Sequence, residues 1–76
     1  MRKIEVGQHY KKTSPPGTVW EVLEPVLDSL RIRHFRIRDL DDPTTTKLLS
    51  EHTLANERLY RLVDEPSASA KGPGPA

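Results

Sequence analysis

The side chains best suited to bind a charged partner lie in residues 31–38, where four arginines alternate with apolar residues. A guanidinium group is permanently charged and matches the geometry of phosphates and carboxylates. Four such groups within eight residues, with no acid among them, indicate a strip that could contact an anionic partner. These arginines are Arg31, Arg33, Arg36 and Arg38.

Two features weaken that interpretation. The formal net charge is only +1, from 12 lysines and arginines against 11 aspartates and glutamates. Asp41 and Asp42 follow the arginines closely, and we expect them to cap a turn and to pair with the arginines. A solvated strand face, on which arginine stems cover apolar surface, is the alternative. Weak nucleic-acid binding through residues 31–38, helped by Lys11 and Lys12, is therefore our second choice of function.

No grouping of residues predicts catalysis. His9, His34 and His52 are far apart in the sequence, whereas zinc sites use ligands about two to five residues apart. No serine lies in a nucleophile motif, and the glycines do not form a phosphate-binding loop. We expect no enzyme activity, no metal and no cofactor.

Aromatic residues offer a second candidate surface. Trp20 is either a core residue packed by Phe35 and Val22, or an exposed platform flanked by Tyr10 or Tyr60. Partly exposed aromatic rings often anchor protein interfaces. Tyr10, Trp20 and the four arginines together form the candidate site for a protein partner, which is our first choice.

The elements that position these residues are predicted to be strands. Phe35 and Ile37 alternate with Arg36 and Arg38, a pattern typical of a half-buried strand. Ile32 is out of phase with Phe35, which predicts a bulge near residues 33–34. The Asp-Asp-Pro-Thr sequence at residues 41–44 predicts a tight turn.

Residues 18–30 are ambiguous. Their apolar positions fit one face of a helix, but Pro25 inside a helix costs about 3 kcal/mol or more. Residues 18–23 are rich in β-branched and aromatic types, which favours a strand. A helix over 19–30, giving an α+β fold, remains the alternative.

Four further elements complete the chain. We predict a first strand over 6–12, in which Gly7 marks a bulge or a close backbone approach. A Pro-Gly loop follows at 13–17. A fourth strand covers 45–49, Ser50 caps one helical turn, and the last strand covers 58–63. A single helix over 47–63 is the alternative for this last part.

Three segments resemble small uncharacterised bacterial and phage proteins of SH3-like or Tudor-like type: VGQHY at 6–10, GTVWEV at 17–22 and HFRIRDLDDP at 34–43. The resemblance covers residues 4–63. It implies an all-β, mainly antiparallel, five-stranded SH3-like barrel with a short helical turn before the last strand. Members of these superfamilies bind peptides, methylated side chains, RNA or DNA, so the resemblance implies a binding module.

Length and composition limit the remaining possibilities. A chain of 76 residues forms at most one domain, which we place at 1–63. Residues 64–76, rich in proline, glycine, serine and alanine, are predicted to be a disordered tail. The chain has no cysteine and no apolar run of about 20 residues. We expect a cytoplasmic, monomeric, non-catalytic interaction module without membrane contact.

Overall fold

The computed structural model describes residues 3–64 and contains five strands and one helical turn. Apart from Asp64, which ends the last strand, the predicted tail at 64–76 lies outside the described residues. The predicted all-β fold with one short helical turn before the last strand is confirmed. The elements are β1 His9–Lys12, β2 Val19–Leu27, β3 Arg33–Asp39, β4 Thr46–Ser50, α1 Glu51–Leu54 and β5 Tyr60–Asp64.

All five strands form one antiparallel sheet in the order β4-β3-β2-β1-β5, so β4 and β5 are its edges. In a flat sheet these edges would be about 19 Å apart. Yet the ammonium group of Lys47 on β4 lies 5.9 Å from the ring centre of Tyr60 on β5. A lysine side chain is too short to bridge a flat sheet, so the sheet curls into a partly closed barrel.

The core fills the inside of this curled sheet. Phe35 and Ile37 lie in it together, as their alternation predicted, and Leu54 of α1 adds to it from outside the sheet. The short helical turn is therefore part of the packing. The buried apolar residues are Ile4, Tyr10, Trp20, Val22, Phe35, Ile37, Leu54, Ala55 and Tyr60.

Strand β2 settles the ambiguity of residues 18–30. It is a strand of nine residues, and the alternative of a helix over 19–30 is wrong. Strand β1 pairs with β2 only over residues 19–21, so around Pro25 the strand has a neighbour on one side alone. Proline is tolerated at such edge positions, because fewer ladder bonds are made there.

The bulge lies in a different strand from the one predicted. The pairing of β3 with β2 and with β4 is continuous at residues 33–34, and Ile32 lies in the turn before β3. The register instead shifts between Val22 and Glu24 of β2, which leaves Leu23 as the extra residue. A bulge re-aims the side chains that follow it.

The turn between β3 and β4 is held by its acids, as predicted. The Asp39 carboxylate accepts a hydrogen bond from the backbone N–H of Asp41 at 2.8 Å. The Asp42 carboxylate accepts bonds from the hydroxyls of Thr45 and Thr44, both at 2.7 Å. These bonds lower the pKa of Asp42, because they favour its charged form. Among residues 3–64, neither Asp41 nor Asp42 forms an ion pair with an arginine, so their expected pairing with the arginines is wrong.

Ser50 caps α1, because its hydroxyl oxygen accepts a hydrogen bond from the N–H of Thr53 at 3.1 Å. The helix ends at Leu54, so the alternative of one helix over 47–63 is wrong. The close backbone approach predicted at Gly7 is confirmed: its φ is 94° and its N–H donates to the carbonyl of Val22 at 2.8 Å. Within residues 3–64, no helix has the length and apolarity needed to cross a membrane.

Candidate functional site

The aromatic residues of the predicted site are buried. Tyr10 is 0% exposed and donates a hydrogen bond from its hydroxyl to the side-chain oxygen of Gln8 at 2.7 Å. Trp20 is 7% exposed, and the ammonium group of Lys47 lies 4.4 Å from its ring centre. The prediction of a binding platform at Tyr10 and Trp20 is wrong, because rings inside the core cannot reach a partner. The alternative, Trp20 packed in the core with Phe35, is confirmed.

Two of the four predicted arginines are paired with acids. Arg36 Nε donates to Glu24 Oε2 at 2.7 Å, and Arg38 donates to Glu21 Oε1 at 2.6 Å. Each pair joins directly opposed residues of β3 and β2. Both pairs are at least partly exposed, so they contribute roughly 0–1 kcal/mol each to stability. Their main consequence is that this part of the arginine strip is neutralised.

The β2 bulge explains why both glutamates reach the arginines. Residues 21 and 24 of a regular strand would point to opposite faces, because side chains alternate. The extra residue Leu23 shifts that alternation by one, so that Glu24 pairs with Arg36 as Glu21 pairs with Arg38. Sequence reasoning missed these glutamates because it placed the bulge in β3.

The other two predicted arginines lie at the turn between β2 and β3. Arg31 has a positive φ of 66°, and the guanidinium carbon of Arg33 lies 5.2 Å from the ring centre of Phe35. Among residues 3–64, no carboxylate forms an ion pair with either guanidinium group. The carboxylate of the nearby Asp28 instead accepts bonds from the N–H groups of Leu30 and Ile32.

Large aliphatic side chains are exposed around the same turn. Leu27 is 63%, Leu30 75% and Ile32 48% exposed. They lie within six positions of the sequence, beside Arg31 and Arg33. We call residues 27–33 the hairpin end. Its aliphatic side chains flanked by unpaired arginines resemble the composition of protein interfaces, which are rich in arginine and poor in other charged residues.

A groove of about 590 Å³ lies between the β1–β2 loop, residues 13–17, and strand β5. Three cations line it: Lys11 and Lys12 of β1 and Arg61 of β5. Lys11 and Arg61 are directly opposed in the β1–β5 pairing. Sequence reasoning named the two lysines only as helpers of residues 31–38 and missed Arg61, because the β1–β5 register has no local signal. We call this feature the basic groove.

Two of the histidines lie beside acids. His9 has one ring nitrogen 3.4 Å from Asp64 and the other 3.9 Å from Glu21. A ring nitrogen of His34 is 3.8 Å from the Asp28 carboxylate. Within the part of the chain that the structure describes, no three histidine, cysteine, aspartate or glutamate side chains are grouped to hold a metal ion.

Comparison with protein families, with curated proteins and with solved structures gives no match for this chain. The hairpin end and the basic groove are therefore the features of this protein that bear on its function.

Proposed function

We propose that this protein is a non-catalytic interaction module that binds a protein partner through the hairpin end. The observation that carries the proposal is the exposure of Leu27, Leu30 and Ile32 at one turn of a domain whose aromatic residues are all buried. Exposed apolar groups that lie together mark interaction surfaces more often than scattered ones do. We further propose that the module acts as a cytoplasmic monomer, in keeping with its lack of cysteine.

The expected affinity follows from the size of these side chains. Full burial of a leucine or isoleucine is worth about 1.5–3 kcal/mol, so completing the burial of a half-exposed one gives about 1–2 kcal/mol. Three such residues supply several kcal/mol, and Arg31 and Arg33 add charge that can orient the partner. The ordering costs of association offset part of this gain. The hairpin end therefore suits a partner that binds with moderate affinity.

Nucleic-acid binding through residues 31–38 has less support. Glu24 and Glu21 neutralise Arg36 and Arg38, so only Arg31 and Arg33 of that strip are available for phosphates. All four aromatic rings of the chain are buried, and single-stranded nucleic acids are usually held by stacking on exposed rings. We therefore place this alternative below the protein partner.

The experiment uses a photo-crosslinking amino acid in place of Leu30, in cells that express the full chain. We expect it to capture a defined protein, whose affinity for the purified module is then measured by calorimetry. Leu30→Asp should weaken that affinity by about tenfold or more, because a buried carboxylate would replace an apolar contact.

The matched control is Leu48→Asp. Leu48 lies on edge strand β4 and is 45% exposed, so the substitution changes the same residue type and the same charge on another part of the surface. A captured protein whose affinity falls equally in both variants, or in neither, would contradict binding at the hairpin end.

A further inference from the structure

The basic groove is a site of unrelieved like charge. Lys11 and Arg61 are direct cross-strand neighbours, and like charges in that position destabilise a sheet. Lys12 also lines the groove, but its ammonium group lies 5.2 Å from the ring centre of Tyr60, so the unrelieved repulsion is that between Lys11 and Arg61. Among residues 3–64, no carboxylate forms an ion pair with any of the three. Arg36 and Arg38 show the contrast, since each is matched by a glutamate on the adjacent strand.

The wall of the groove limits the ligands that fit. Pro15 and Pro16 have no N–H group, the N–H of Gly17 donates to the carbonyl of Ser14, and that of Thr13 donates to Leu59. Compact phosphate sites usually depend on several free backbone N–H groups. The loop at residues 13–17 has few free N–H groups, so the attraction for an anionic ligand must come from the cationic side chains.

Beside the cations and the polar residues Thr13 and Ser14, the groove has apolar lining residues. The rings of Pro15 and Pro16 lie in the loop wall, and Val63 of β5 is half-exposed on the other side. The volume of about 590 Å³ lies within the range of about 300–1,000 Å³ that is typical of ligand sites. The groove therefore combines positive charge with apolar contact area.

From this combination we infer that the basic groove binds an acidic peptide segment of a partner protein. Carboxylate side chains would lie between Lys11 and Arg61 and relieve their repulsion, while small apolar side chains of the same segment contact Pro15, Pro16 and Val63. Nucleic acid is disfavoured, because no described residue that lines the groove has an aromatic ring for base stacking. The inference does not depend on the hairpin end, which is at the other end of strand β2.

The test measures fluorescence anisotropy of three labelled probes at low ionic strength: a short peptide of alternating glutamate and alanine, the same peptide with glutamine for glutamate, and an oligothymidylate. We expect the glutamate peptide to bind, the glutamine peptide not to bind, and added salt to weaken the binding, as expected for contacts between charges. The oligothymidylate should bind more weakly than the glutamate peptide.

The diagnostic variant is Lys11→Gln with Arg61→Gln, and its control is Arg31→Gln with Arg33→Gln, which removes the same charge from the hairpin end. We expect the first pair to weaken peptide binding by about tenfold or more and the control to leave it unchanged. If the first pair does not fold, Lys11→Gln alone replaces it, with Arg33→Gln as its control. Loss of peptide binding in both double variants would mean that the net charge of the protein alone attracts the peptide. That result would overturn the assignment of the peptide site to the basic groove.

Two other results would also overturn it. No binding of the glutamate peptide at low salt would exclude an acidic ligand. Tighter binding of the oligothymidylate, lost in the Lys11→Gln and Arg61→Gln variant, would reassign the groove to nucleic acid. Neither result affects the hairpin end, whose test uses Leu30→Asp.

Discussion

The backbone of Arg31 makes a sharp test of the hairpin end possible. Its φ of 66° lies in the left-handed region, where a side chain crowds the backbone and costs about 1–2 kcal/mol. The Asp28 carboxylate holds the turn on both sides, by accepting bonds from the N–H groups of Leu30 at 2.8 Å and Ile32 at 2.9 Å. We therefore expect that residue 31 keeps this conformation whatever its side chain.

Substitution of Arg31 by glycine should stabilise the protein. Glycine removes the cost of about 1–2 kcal/mol but loses about 0.5–1 kcal/mol through its greater freedom in the unfolded chain. The net gain in the free energy of unfolding is about 0.5–1 kcal/mol. For a domain of this size that gain raises Tm by about 2–8 °C. Arg31→Ala keeps the unfavourable backbone and should change stability by less than about 0.5 kcal/mol.

Chemical denaturation of the wild type, Arg31→Ala and Arg31→Gly measures these differences, and calorimetry with the crosslinked partner measures binding. We expect both variants to bind the partner more weakly, since both lack the guanidinium group, while only Arg31→Gly is more stable. Weaker binding with higher stability could not be attributed to unfolding. A glycine variant no more stable than the alanine variant would refute the assignment of backbone strain to residue 31.

Three further predictions concern the framework. Tyr10→Phe removes the hydroxyl bond to Gln8 and should lower the free energy of unfolding by about 1 kcal/mol, whereas Tyr10→Ala should lower it by about 3–5 kcal/mol; urea titration compares the two. Ser50→Ala removes the α1 cap and should lower it by about 1 kcal/mol in the same assay, with Ser29→Ala in an exposed turn as control. Because hydrogen bonds lower the pKa of Asp42 in the folded state, their stabilising effect is present above the ordinary aspartate pKa of about 4 and is lost as the pH falls through the lowered value. Denaturation at several acidic pH values should therefore show a smaller pH dependence for Asp42→Ala than for the wild type.

Local signals in the sequence predicted most of the fold. The alternation of Phe35 and Ile37 with arginines, the acidic turn around Asp42 and the cap at Ser50 each depend on residues only a few positions apart. Such signals are present in the sequence itself, because the interactions they describe form within one strand, turn or helix end. The succession of strands and the helical turn along the chain followed from them, and with it the all-β class.

The candidate site was harder to predict, because it depends on contacts between distant strands. Alternation places Trp20 and Val22 on one face of β2, but it does not say that the rest of the barrel covers Trp20. The pairing of Arg36 with Glu24 requires the bulge at Leu23. Lys11 and Arg61 meet only through the β1–β5 register. In each case a one-residue change of register would alter the surface completely.

The density of charge in the sequence was therefore a poor guide to binding. Residues 31–38 contain the most arginines, but the fold supplies glutamates to two of them. The basic groove contains fewer cations, drawn from two strands, and the fold supplies no described acid to them. A charged side chain that already has an ion-pair partner contributes less binding free energy, because it must first lose that partner before it can contact a ligand.

The distance between the two surfaces bears on how many ligands they serve. Lys11 of the groove pairs with Val19 at one end of β2, and Arg33 of the hairpin end pairs with Leu27 at the other. Nine residues of strand separate the ends by about 27 Å. A compact ligand cannot span that distance, whereas an extended chain needs at least about eight residues to do so. The two surfaces therefore bind either separate ligands or one partner that carries both an apolar and an acidic segment. In such a partner, binding of one segment would raise the effective concentration of the other, so that the overall affinity would exceed that of either segment alone.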